Sequence, residues 1–212
     1  EYTSEDWEQV TLPHDYLAGD GYDPACSAAL GFCKYDNGWY VKRFDVPAGD
    51  EGKRLTLLFE GVTGHATVML NGCLMKHNFC GYTPFEVDIT DMVKYGAENS
   101  LAVFVDMTEH EGWWYEGAGI YRPVRLRKTD LCAIDLWGVF ARPERQADGA
   151  WTVHTETTLR NDSERDELLT VKGEILDADG QVVATSGAEE TVSLRDSATL
   201  CYDFAVGTPR LW

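Results

Sequence analysis

Between Gly112 and Arg122 the sequence reads Gly112-Trp113-Trp114-Tyr115-Glu116-Gly117-Ala118-Gly119-Ile120-Tyr121-Arg122, with four aromatic rings, one carboxylate and one guanidinium in eleven residues. Aromatic faces stack on the C–H faces of pyranose rings, carboxylate and guanidinium groups hydrogen-bond hydroxyls, and glycine lets backbone approach closely. The composition suits a sugar, and Trp113, Trp114, Tyr115, Glu116 and Arg122 are the candidate substrate contacts. Trp and Tyr fill interfaces as readily as they bind ligands, so the same rings could instead plug the end of a sandwich or pack on a neighbouring domain.

Other chemistries have less to stand on. Glycoside hydrolysis needs two carboxylates roughly 5–10 Å apart, drawn from distant parts of a chain, and spacing cannot select them among 36 acidic residues. The histidines His14, His65, His77, His110 and His154 are scattered, with no i, i+4 pair of the kind that holds a metal on a helix. His14 stands beside Asp15, and a structural hydrogen bond is the expected role. The six cysteines (Cys26, Cys33, Cys73, Cys80, Cys132, Cys201) show no Cys-x-x-Cys or Cys/His zinc spacing. No nucleophile elbow, phosphate-binding loop or dinucleotide fingerprint occurs. Neither metal nor cofactor is expected.

The elements that must position the aromatic cluster are strands. Apolar residues alternate with period two at Leu55, Leu57, Phe59, at Ala66, Val68, Leu70 and at Leu101, Val103, Val105, the signature of half-buried strands. The pattern returns at Leu169, Val171, Ile175 and at Leu200, Tyr202, Phe204, Val206. Turn signals separate these runs, Asn71-Gly72 being the strongest hairpin signal. Thr90 to Gly96 reads as about one helical turn, with Thr90 as N-cap and Gly96 as stop. Two irregular stretches stand out: residues 13–38, a candidate contact surface, and Thr108 to Gly119, which holds the aromatics. The strand pattern restarts after Arg127, which puts a short linker near Lys128 to Leu131 and predicts domains over 1–129 and 130–212.

With 212 residues, 44% hydrophobic and 25% charged, the chain has the composition of an ordinary globular protein with two small cores. A formal net charge of −18, shared as −10 up to Asp130 and −8 after it, repels phosphate backbones and argues against a nucleic-acid partner. No apolar run approaches the roughly 18 residues of a membrane helix, and Glu1 to Trp7 lack the basic start and apolar stretch of a signal peptide. Few cysteines fit a reducing, cytoplasmic compartment, although a hairpin could bring Cys73 and Cys80 together as a bridge. The missing initiator Met and the stop at Leu211-Trp212 read as an excerpt of a larger protein.

Leu12-Pro13-His14-Asp15, Gly38-Trp39-Tyr40, Phe59-Glu60-Gly61-Val62, Asn71-Gly72, Gly81-Tyr82-Thr83-Pro84-Phe85, Asp88-Ile89-Thr90-Asp91, Glu98-Asn99 and Gly119-Ile120-Tyr121-Arg122 follow one another in this order. As a set they resemble glycoside hydrolase family 2, which includes β-galactosidases, β-glucuronidases and β-mannosidases. The resemblance is dense from Leu12 to Arg127. Asn161 to Asp177, Gly180 and Pro209-Arg210-Leu211-Trp212 look like the immunoglobulin-like domain that follows in such enzymes. The resemblance implies an all-β chain: a jelly-roll (galactose-binding-like) sandwich, then an immunoglobulin-like β-sandwich. It also implies a catalytic TIM barrel that these residues do not contain. The acid/base glutamate of the family follows an Asn, and this sequence has no Asn-Glu pair, so no catalytic residue is assigned in this chain. Where many members read Arg-Trp-Tyr-Pro-Gly, this chain has Trp113-Trp114-Tyr115-Glu116-Gly117.

The expectation is the non-catalytic N-terminal portion of a retaining exo-β-glycosidase, β-galactosidase-like. Its partners would be a β-glycoside substrate and the barrel of the same chain, with homo-oligomerisation allowed. The alternatives are a stand-alone carbohydrate-binding module or adhesin, and a scaffold that touches no glycan.

Overall fold

The structure, a computed structural model, describes residues 7–19, 21–108, 115–207 and 209. It divides into two compact units, residues 1–128 and 129–212. Both are built from strands, the all-β pair of sandwiches expected from the sequence.

In the first unit a four-stranded antiparallel sheet is formed by β1 (Gly38–Val46), β3 (His65–Leu70), β4 (Cys73–Asn78) and β6 (Ala97–Asp106), in the spatial order β1-β6-β3-β4. A three-stranded sheet has the order β5-β2-β7, from β2 (Arg54–Phe59), β5 (Phe85–Asp88) and β7 (Val124–Thr129). The predicted alternation is realised in β3, where Ala66, Val68 and Leu70 are buried and their neighbours only half-buried. Asn71 and Gly72 both take positive φ, 52° and 84°, as the β3–β4 hairpin with its two-residue turn requires. The core gathers Phe59, Val68, Leu70, Ile89, Val103 and Val105, with Phe59 stacked on Phe85 at 4.9 Å between centroids.

Strand β2 departs from the half-buried reading, since Leu55, Thr56, Leu57, Leu58 and Phe59 are all buried. It is the central strand of its sheet, and an ionic layer roofs its second face: Arg54 pairs with Asp88 at 3.3 Å and Arg127 with Glu86. Thr56 donates to Glu86 in the same layer. The helical segment expected over Thr90 to Gly96 comes down to one closed turn, in which the Met92 and Val93 amides both donate to the Ile89 carbonyl at 3.0 Å, and Thr90 is not its N-cap. Its side chains bond elsewhere. Thr90 Oγ1 accepts the Leu55 amide at 3.0 Å, and the fully buried Asn99 takes both the amide and the carbonyl of Lys94. Those bonds compete with a helical ladder and win. Gly96 still terminates the segment, with φ 71° and its amide on the Val46 carbonyl.

In the second unit β8 (Cys132–Arg145), β9 (Trp151–Asn161) and β12 (Asp196–Val206) form a sheet of order β12-β9-β8. β10 (Glu167–Leu176) pairs with β11 (Val182–Val192). Leu159, Val171, Val192 and Leu200 make the core. Asn161 is wholly buried: its amide donates to the carbonyls of Arg165 and Val192, and its oxygen accepts the Ser163 amide. One side chain thus closes the turn after β9.

No disulfide joins any of the six cysteines. Cys73 opens β4 and Cys80 lies two residues past its end, so an extended strand of about 20 Å separates them and the bridge weighed from the sequence is sterically excluded.

Candidate functional site

Residues 115–122 cross the end of the first sandwich, and three segments far away in sequence hold them there. The amides of His14 and Tyr16 donate to the carbonyls of Ile120 and Ala118, each at 2.9 Å, so the N-terminal segment pairs with 118–120 as a short extended strip. On the opposite side the Thr63 amide donates to the Gly119 carbonyl at 2.9 Å. Gly119 has φ 133°, and a Cβ there would lie 2.3 Å from the Tyr40 hydroxyl oxygen and 2.6 Å from the His14 carbonyl oxygen. Only glycine fits, because the backbone approach is too close for any side chain.

Beneath this strip lies a polar cluster. The Asp15 carboxylate accepts the Tyr115 hydroxyl and the amides of Leu17 and Ala18. His14 does not bond Asp15; its Nδ1 is 2.9 Å from the Tyr40 hydroxyl and the two rings meet edge to face. The adjacent His-Asp pair is structural, as expected, but its members serve different tyrosines, since neighbouring side chains on an extended segment point to opposite sides. Tyr16 donates to the Asp36 carbonyl at 2.8 Å. Burial, with the nearby acidic groups, raises the pKa values of the Tyr16 and Tyr115 phenols, and Tyr40 is pushed up to about 12, chiefly by burial. These are neutral donors at any physiological pH.

Of the five residues singled out in the sequence, Trp113 and Trp114 lie outside the described residues. Tyr115 is half-buried, bonded to Asp15 and edge-on to Tyr35 at 6.5 Å. Glu116 turns to the other side, where Oε1 accepts the Tyr82 hydroxyl at 2.7 Å. Arg122 is exposed and lies over the ring of its own neighbour Tyr121, 5.3 Å from the centroid. Tyr121 in turn donates to the Gly81 carbonyl at 2.7 Å. Asp15, Tyr40 and Tyr82 were not selected from the sequence as site residues, although Leu12-Pro13-His14-Asp15, Gly38-Trp39-Tyr40 and Gly81-Tyr82-Thr83-Pro84-Phe85 contain them. Among the described residues no group of three or more His, Cys, Asp or Glu is arranged to hold a metal ion. None of their helices is long and apolar enough to cross a membrane.

What the arrangement does chemically is hold. It fixes both the start and the end of a short aromatic and acidic strip at one end of a sandwich, leaving Glu116 and Tyr82 at the surface.

Comparison with known proteins gives this β-sandwich its family. Residues 26–130 match the family described as "Glycosyl hydrolases family 2, sugar binding domain". A β-galactosidase of Bacteroides ovatus is 31% identical over the whole chain, which covers 25% of that protein. A β-glucuronidase of Formosa agariphila is 28% identical, again over the whole chain and 24% of its own length. Among solved structures, a glycosyl hydrolase family 2 member from Bacteroides cellulosilyticus superposes with a TM-score of 0.88 at 30% identity, over 98% of this chain and 28% of that one. The chain belongs to glycoside hydrolase family 2. It spans about a quarter of the length of the curated relatives it matches.

Proposed function

We propose that this chain is the non-catalytic N-terminal part of a retaining exo-β-glycosidase, β-galactosidase-like in substrate. In this reading the catalytic glutamates lie on a barrel outside residues 1–212, and cleavage proceeds by double displacement through a covalent glycosyl-enzyme. The chain's own contribution is to carry the strip 115–122, and with it Trp113 and Trp114, to the rim of the substrate site. The observation that carries this is the convergence of His14, Tyr16, Thr63 and Asp15 on that one strip, far more anchoring than a solvent loop needs. Relatives named as glycosidases support the enzyme reading over a stand-alone binding module. A reducing, cytoplasmic location belongs to the same reading and is supported by six unbridged thiols.

The test is hydrolysis of p-nitrophenyl β-D-galactopyranoside by the full-length protein and by residues 1–212 alone. Turnover by the first and none by the second is the expected pair of results. Turnover by purified residues 1–212 would move the chemistry into this chain, and inactivity of the full-length protein on neutral and acidic β-glycosides alike would remove the enzyme reading.

A further inference from the structure

Tyr82 occupies the turn between β4 and β5 and is 64% exposed, yet its hydroxyl is bonded to Glu116 across 34 positions of sequence. An exposed side chain gains little from one partner unless its backbone is already fixed, because ordering it costs rotamer entropy. Here the backbone is fixed. Tyr121 donates to the Gly81 carbonyl, and Asn78 donates to the Cys80 carbonyl at 2.7 Å. Gly81 itself is wedged against the chain: a Cβ would lie 3.2 Å from backbone atoms of Val62, Thr63 and Gly64. On the other side of the bond, Tyr115 clamps the residue before Glu116 to Asp15. Glu116 is therefore held through its backbone by one tyrosine and through its carboxylate by another.

Glu116 is the one carboxylate of the strip 115–122, and the strip's one cation, Arg122, lies over the ring of Tyr121. The relatives divide into β-galactosidases and β-glucuronidases, whose sugars differ at C6, a neutral hydroxymethyl in one and a carboxylate in the other. We infer that Tyr82 and Glu116 form a specificity pair that selects a neutral hexoside and rejects a uronide. The inference rests on the reading that this strip borders the substrate site. Glu116 accepts hydroxyl hydrogen bonds from the neutral sugar and repels the uronate, while Tyr82 is a positioning residue that keeps the carboxylate in one place. Two like charges within several ångströms near a protein surface discriminate by about tenfold or more.

The experiment measures kcat/KM of the full-length protein on p-nitrophenyl β-D-galactopyranoside and p-nitrophenyl β-D-glucuronide, for the wild type, Glu116→Gln, Tyr82→Phe and the double variant. Thermal melts check that each is folded. The wild type should favour the galactoside, and Glu116→Gln should raise the glucuronide-to-galactoside ratio about tenfold or more. Tyr82→Phe should shift the ratio the same way by less, raising KM for the galactoside with kcat nearly kept. The double variant should match Glu116→Gln, because Tyr82 acts only through Glu116. A wild type that prefers the glucuronide, or ratios unmoved in folded and active variants, overturns the specificity pair and leaves the glycosidase reading standing. If the wild type cleaves neither substrate, the underlying reading itself fails and the pair with it.

Discussion

The Tyr115 hydroxyl lies 2.7 Å from each oxygen of the Asp15 carboxylate, joining residues one hundred positions apart. That contact ties the N-terminal segment to the strip that closes the sandwich. Hydrogen bonds to charged groups contribute about 1.5–3 kcal/mol. Tyr115→Phe should therefore lower the stability of the first unit by about 2 kcal/mol, read from urea unfolding of residues 1–212. A change below about 0.5 kcal/mol would mean that water replaces the phenol without loss.

The tyrosine cluster predicts loss of stability at alkaline pH. Burial raises the phenol pKa of Tyr40 to about 12, and raises those of Tyr16 and Tyr115 as well, from the ordinary 10. Between pH 10 and 12 the unfolded chain has lost protons that the folded one keeps, so the stability these groups contribute is whole below pH 10 and falls as pH rises through 12. Urea midpoints across pH 8–12 should be flat and then decline. In Tyr40→Phe the decline should be shallower, by up to about 1.4 kcal/mol per pH unit. A stability independent of pH up to 12 would contradict the burial of these phenols.

Gly119→Ala should be among the most damaging single changes in the first unit. The added methyl meets the Tyr40 hydroxyl and the His14 carbonyl well inside contact distance, at a φ of 133°. Strain and overpacking together should cost about 3 kcal/mol or more. Gly49, with nothing within 4 Å of its would-be Cβ, is the control, and Gly49→Ala should leave the melting temperature within a degree or two. Equal melting temperatures for the two variants would show that the strip can shift aside.

Asn161→Ala should weaken the second unit selectively. It orphans the buried carbonyl of Val192 and removes the acceptor of the Ser163 amide, at about 1–3 kcal/mol for each buried group left unmade. Hydrogen exchange should show protection lost in β9 and β11 while β2 and β3 are unaffected. Loss spread evenly over both units would contradict their separate cores.

Much of the fold was legible in the sequence because a strand buried on one face writes its period into it, as Ala66, Val68 and Leu70 show. β2 was misread as half-buried because its second face is roofed by ion pairs from Asp88 and Glu86, and no local pattern announces a roof. Thr90 reads as an N-cap in the sequence, but its hydroxyl is taken by Leu55, 35 positions away. The site divides the same way. Tyr115 and Glu116 stood out by local composition, whereas Asp15 and Tyr82 become visible only when the β4–β5 turn and the N-terminal segment meet the strip.

The central claim is that this chain shapes a substrate site without performing the chemistry, and Trp114→Ala in the full-length enzyme tests it most directly. A contact that serves the substrate should lower kcat/KM on the β-galactoside by about tenfold or more and leave the melting of the first unit within about 1 kcal/mol of wild type. An unchanged kcat/KM, with or without a loss of stability, would contradict the claim.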